Sequence, residues 1–208
     1  MTKEMMTHYA TDLVEPLAME ETLDRQTDNS HDAVPCWDSA MVTEFANGNA
    51  DILILPRQTL QNVDAIVRPS CVGEYLTPVR RDNAEYEVRN ALRELKVSSQ
   101  DFAADLSGLV FAFLEQFDVP RAKLRVEITQ TQSCPKFHSD YVHIRLVTTY
   151  LGPTTEYQYA GDGRIHDAPL GGLVFLKGHR NQTHRDSIHH RSPQVPANVK
   201  RLCVAIDF

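Results

Sequence analysis

The hydrophobic period of this chain changes once, between Phe117 and Leu124, and that change constrains the fold more than any other feature. Before it, Phe102, Leu106, Leu109, Val110, Phe113, Leu114 and Phe117 recur at i, i+4, i+7, i+8, i+11, i+12 and i+15, the spacing of one helical face. Ser98 or Ser99 stands where a helix cap belongs. After it, Leu124, Val126 and Ile128 alternate with Arg125, Glu127 and Thr129, the repeat of a strand buried on one side. A helical stripe of that breadth packs against a sheet, so the chain is expected to set helices against strands.

The remaining segments extend this division. Asn83–Leu95 reads as a helix with Val88, Leu92 and Leu95 on one face, and Gln58–Val67 as a helix carrying Leu60, Val63, Ile66 and Val67. Ala50–Leu55 reads as a short strand ending at Pro56. Val142–Tyr150, Gly172–Leu176 and Leu202–Phe208 are further strands, separated by Gly and Pro punctuation at Gly152-Pro153, Gly161-Asp162-Gly163 and Gly171-Gly172. Residues 1–50 are polar, without sustained periodicity, and read as a partly flexible extension with a short helix or two. Residues 51–208 are then one domain, with helices over about 58–117 and strands over about 124–208. The fold class is α+β, a helical N-terminal half packed on an antiparallel sheet or barrel.

Charge narrows the function. With 21 Lys and Arg against 28 Asp and Glu, the net charge is -7, which argues against nucleic-acid and membrane-surface partners. No apolar run approaches the roughly 20 residues of a membrane span, and Met1–Leu13 lacks the pattern of a secretory leader. The four cysteines, Cys36, Cys71, Cys134 and Cys203, lie far apart without a C-x-x-C pair, as expected of a cytoplasmic protein with reduced thiols. Substrate, whether small molecule or protein, and oligomeric state are not legible in the sequence.

Seven of the nine histidines follow position 137, which directs attention to the C-terminal third. In Cys134–Tyr150 (CPKFHSDYVHIRLVTTY) an extended backbone puts His138 and Asp140 on one face. Continuing the alternation adds Val142, Ile144, Leu146, Thr148 and Tyr150, a face suited to a barrel interior; a bulge near Asp140 would change that register. A third ligand must come from another strand, and His190 in Ser187–Pro193 (SIHHRSP) is the best candidate, with His189 the alternative. Two imidazoles and one carboxylate leave positions open on a metal, which suits Fe(II) and also serves Zn(II) and other divalent ions.

Phe137–Asp140 (FHSD), Arg145–Pro153 (RLVTTYLGP), Glu156, Leu173–Gly178 (LVFLKG) and His190–Pro193 (HRSP) resemble a bacterial family known only as a domain of unknown function. Gene neighbours of that family include zinc-homeostasis GTPases, which implies a role under metal limitation. More widely, the order of H-x-D, a strand with Phe175, His190 and then Arg201 is similar to the double-stranded β-helix (jelly roll, cupin-like) oxygenases that use Fe(II) and 2-oxoglutarate. That resemblance implies Arg201 as the partner of the distal 2-oxoglutarate carboxylate, a task for which a guanidinium fork is well shaped. Lys200, Arg191 and Arg145 are alternatives. Tyr150 and Thr148, on the expected inner face, are positioned to hydrogen-bond a bound acid, and Cys134 lies within reach of His138. Three functions follow: an Fe(II)/2-oxoglutarate dioxygenase, a cupin-like zinc or divalent-metal protein in metal homeostasis, or a metal-free barrel that binds a partner or small ligand, with its helical half as the interaction surface.

Overall fold

The computed structural model describes residues 37–208 apart from positions 59, 61 and 69. Residues 1–36, the bulk of the expected polar extension, lie outside the described residues. The remainder of that segment is built into the core. Helix α1 (Ser39–Asn47) starts at Asp38, whose carboxylate accepts from the backbone N–H of Ala40 and Met41 at 2.9 and 3.3 Å. Trp37 donates from Nε1 to Gln116 at 3.0 Å, and its ring meets Phe175 edge-on at 5.2 Å. With Val42 and Phe45 also buried, residues 37–47 cover core surface. Three large apolar residues in so polar a stretch are too few to show as a period.

The longer helices match the periodicity that announced them. Helix α3 (Ala84–Glu94) buries Val88 and Leu92. Helix α4 (Gln100–Gln116) is capped by Ser99, whose hydroxyl accepts from the Phe102 N–H at 3.1 Å. The helix expected over Gln58–Val67 shrinks to a single turn, α2 (Val63–Ile66). Asn62 has φ 58°, a left-handed conformation that a right-handed helix cannot run through.

Nine strands are described: β1 (Ile52–Leu55), β2 (Gly73–Val79), β3 (Ala122–Thr129), β4 (Ile144–Leu151), β5 (Glu156–Tyr159), β6 (His166–Asp167), β7 (Leu173–Lys177), β8 (Ile188–Arg191) and β9 (Arg201–Asp207). Six form one antiparallel sheet in the order β1-β7-β4-β9-β3-β2, and three form a second in the order β6-β5-β8. Both edges of the large sheet come from the first part of the chain, so that part is not purely helical. Strand β2 escapes sequence reading because Leu76 and Pro78 face outward while Tyr75, Thr77 and Val79 face in. A proline fits there because β2 is an edge strand.

The two faces of the large sheet bury different partners. Leu124, Val126, Ile144, Leu146, Phe175, Leu202, Val204 and Ile206 join the α3 and α4 stripes in the main core. The intervening residues Val147, Val174, Leu176 and Cys203 pack with Ile188 and Tyr157 of the small sheet. Helices, large sheet and small sheet thus form three layers, each fully buried aliphatic side chain contributing about 1.5–3 kcal/mol. Among the described residues no helix is long and apolar enough to cross a membrane.

Candidate metal centre

Residues 134–140 run beside β8 as an added, irregular strand. His138 and His190 exchange both backbone hydrogen bonds, at 3.1 and 3.0 Å, and Ser192 N–H donates to the Cys134 carbonyl at 3.0 Å. Directly opposed residues of an antiparallel pair project to the same face, so the imidazoles lie 4.6 Å apart between ring centroids. Asp140, two residues on from His138, joins that face. Its Oδ2 lies 3.1 Å from His190 Nε2 and its Oδ1 3.5 Å from His138 Nε2. One donor atom from each of the three lies within 4.8 Å of the other two. His189, one residue along, faces the other way, toward Asp186 at 3.2 Å.

Supporting contacts orient these groups and set their charge. His138 Nδ1 is 2.8 Å from the Lys136 carbonyl; we therefore assign the proton to Nδ1, which leaves the Nε2 lone pair facing the cavity. Burial pushes the His190 imidazole below its usual range, against the pull of Asp140, and favours the neutral, ligating form. Burial alone would raise the Asp140 carboxyl, but contact with His190 and the charge of Arg145 outweigh it and hold it at about 2. Arg145 Nη1 stands 2.7 Å from Asp140 Oδ2, while its Nε donates to Asp207 at 2.9 Å across the β4–β9 ladder. Asp140 Oδ2 is buried, with the Arg145 guanidinium and His190 Nε2 as its close neighbours. Gly178, just past β7, allows this packing: a Cβ there would lie 2.5 Å from the Asp140 carbonyl oxygen.

The cavity beside the three donors is lined by Arg145, Val147, Thr155, Arg201 and Cys203 among others. Arg201 is 3% exposed. It donates from Nε to the Pro153 carbonyl at 3.0 Å and from Nη2 to Thr155 at 3.1 Å, with Glu127 3.7 Å from Nη1. Its rivals are committed elsewhere. Arg191 bonds Glu156 and lies over the Phe137 ring at 4.3 Å, and Lys200 reaches back to the Cys71 carbonyl at 2.9 Å. Cys134 Sγ is 3.7 Å from His138 Nδ1.

Tyr150 stands apart from this cavity, contrary to the expected inner face. Residues 141–143 are bent rather than extended, and this break moves β4 out of step with His138 and Asp140. The residues of β4 facing the cavity are therefore Arg145 and Val147. Tyr150 instead donates to Asp105 at 2.5 Å on the helix side, with Phe102 4.7 Å away and the Arg57 guanidinium 5.2 Å from its ring centre. Thr148 is buried on that same side of the strand. Arg145 and Asp207 were missed as supports of the site, although a charge inside an apolar strand (IRLVTTYL, RLCVAID) is a readable signal.

The chain belongs to the family described as protein of unknown function (DUF1826), whose model matches residues 54–207. No curated protein matches it. Among solved structures, T7H of Neurospora crassa is similar over 81% of this chain and 85% of its own, at 16% identity and a TM-score of 0.43. A prolyl-4-hydroxylase of Pseudomonas putida is similar over 82% and 97%, at 13% identity and a TM-score of 0.41. Hydroxypropylphosphonic acid epoxidase from S. wedmorenis is similar over 43% and 44%, at 15% identity and a TM-score of 0.31. Likenesses this distant assign no activity to the chain.

Proposed function

We propose that the chain is an Fe(II)- and 2-oxoglutarate-dependent oxygenase whose two sheets are the halves of a double-stranded β-helix. The observation that carries this reading is the convergence of His138, Asp140 and His190 beside a cavity that also holds a buried arginine. Those three side chains hold the metal and leave positions open for small oxygen ligands. Bound Fe(II) and 2-oxoglutarate supply the oxidative chemistry. His138 is oriented by the Lys136 carbonyl, and Asp140 by Arg145 and Asp207, so the donors are set before a cation arrives. Arg201 offers its fork to the distal carboxylate of 2-oxoglutarate, steadied by Thr155 and the Pro153 carbonyl. Placement in a reducing cytosol is in keeping with free Cys71, Cys134 and Cys203.

Protein loaded anaerobically with Fe(II) is expected to bind 2-oxoglutarate and to release succinate when O2 is admitted. Arg201→Lys, which keeps the charge but loses the fork, is expected to weaken 2-oxoglutarate at least about tenfold, a difference of about 1.4 kcal/mol. Absence of succinate together with unchanged 2-oxoglutarate affinity in the variant would overturn this function. A second reading is favoured by the contacts Arg201 already makes with Thr155, Pro153 and Glu127: a cupin-like protein that binds Zn(II) or another divalent ion at the same three residues without 2-oxoglutarate. Metal retained by the wild type and lost in His138→Ala, with no 2-oxoglutarate binding in either, would establish that alternative.

A further inference from the structure

A second group of nitrogen and oxygen donors lies on the far side of the His138–His190 strand pair. Neighbouring residues of an extended strand project to opposite faces, so Ser139 and His189 point away from the face on which His138, Asp140 and His190 converge. There they meet Asp186. Ser139 Oγ donates to Asp186 Oδ1 at 3.1 Å, and His189 Nε2 lies 3.2 Å from the same oxygen. His179 and His184 complete the group with ring centroids 4.7 Å apart. One donor atom from each of His179, His184 and Asp186 lies within 4.8 Å of the other two.

His184 is the residue that points to a ligand. Its side chain is 7% exposed, and both of its ring nitrogens are buried without a hydrogen-bond partner. An imidazole always presents a donor at one nitrogen at least, and leaving such a group buried and unsatisfied is destabilising. Carboxylates flank the ring at distances too long for a hydrogen bond: Asp51 Oδ1 is 3.5 Å from Nδ1 and Asp186 Oδ1 is 3.6 Å from Nε2. Two donors bound to one tetrahedral ion at about 2.1 Å stand about 3.4 Å apart, so the Nε2–Asp186 gap has the width of a shared cation.

The loop that carries these donors is fixed in place. Asp51, 2% exposed, accepts from the Arg185 N–H at 3.0 Å, the Ser187 N–H at 2.8 Å and the Ser187 hydroxyl at 2.7 Å. Those bonds hold the residues on either side of Asp186. Lys177 Nζ reaches Thr183 at 2.6 Å and the Gly48 carbonyl at 2.7 Å, which holds the start of the loop. His179 donates its own N–H to the Asp140 carbonyl at 2.8 Å.

We infer that His179, His184 and Asp186 form a second divalent-cation site of the zinc class, with Asp51 behind His184 and His189 behind Asp186. Imidazole and carboxylate donors without thiolate suit Zn(II), and three protein ligands leave a position for water or exchange. His179 and Asp186 are exposed, so the ion enters from solvent without passing the first centre. Asp51 places a second carboxylate on the Nδ1 side of the His184 ring, 3.5 Å away.

The test is Zn(II) uptake by the full chain, measured by metal analysis after equilibrium dialysis and by calorimetric titration. Wild type is expected to take up two equivalents. His179→Ala and Asp186→Asn, both at exposed positions, are each expected to lose one equivalent or weaken it more than about tenfold while leaving thermal unfolding of the metal-free protein unchanged. His138→Ala is expected to remove the other equivalent. An equivalent that survives His138→Ala and disappears with His179→Ala supports this site even if the first centre fails. Stoichiometry and affinity unchanged in both His179→Ala and Asp186→Asn would overturn it.

Discussion

The two faces of the six-stranded sheet share strands but not chemistry. On the helix side, β9 places Leu202, Val204 and Ile206 and β4 places Ile144 and Leu146 in an apolar core. On the other side the same strands place Arg201, Cys203, Ala205, Arg145 and Val147 around the cavity. Period-2 alternation lets one strand serve both purposes. The stabilising residues and the cavity-lining residues are therefore interleaved in sequence yet separated by the thickness of the backbone, and substitutions on the two faces are expected to affect different measurements.

The strongest challenge to that separation is Phe175→Ala. Phe175 is fully buried against Trp37, Phe45 and Phe117, and its truncation is expected to cost about 3–5 kcal/mol in denaturant unfolding, with metal affinity of the folded protein kept. A loss of metal affinity would show that the faces are coupled. An intermediate effect belongs to Asp140. Folding lowers its carboxyl from 3.8 to about 2, so its stabilisation is complete above about pH 4 and is lost as pH falls through about 2. The shift corresponds to about 2 kcal/mol, and the stability difference between wild type and Asp140→Asn is expected to narrow by that amount as metal-free protein is acidified. A gap independent of pH would mean that the carboxylate is not held in this way. The smallest effect is expected of Tyr150→Phe, which deletes one hydrogen bond to Asp105. It is expected to cost about 1 kcal/mol and to leave 2-oxoglutarate and metal binding untouched; weaker 2-oxoglutarate binding would return Tyr150 to the cavity.

Periodicity made α3, α4, β3 and β9 readable because each has one apolar face over several repeats. It failed where local geometry or an outward side chain intervened. Asn62 in a left-handed conformation cut the helix expected over 58–67, and outward Leu76 and Pro78 masked β2. His138 and Asp140 were paired from their spacing, and the structure does bring them together. However, the partner that aligns His138 is the opposed strand carrying His190, a long-range contact with no local trace. The bend at 141–143 is equally silent in sequence, which is why Tyr150 was placed on the wrong face. The choice between His189 and His190 needed the backbone pairing, since adjacent residues differ only in the face they take.

The position of β9 bears on how the chain reaches this state. Among the described strands it is the last to be synthesised, yet it lies between β4 and β3. Until it is available, β1-β7-β4 and β3-β2 are separate fragments with unpaired edges, open to wrong pairings. Insertion of β9 joins them through contacts distant in sequence, so completion of the sheet waits on slow, non-local closure. The same event delivers Arg201 to the cavity and Asp207 to Arg145, and a nascent chain stalled before β9 would have neither a continuous sheet nor a finished site.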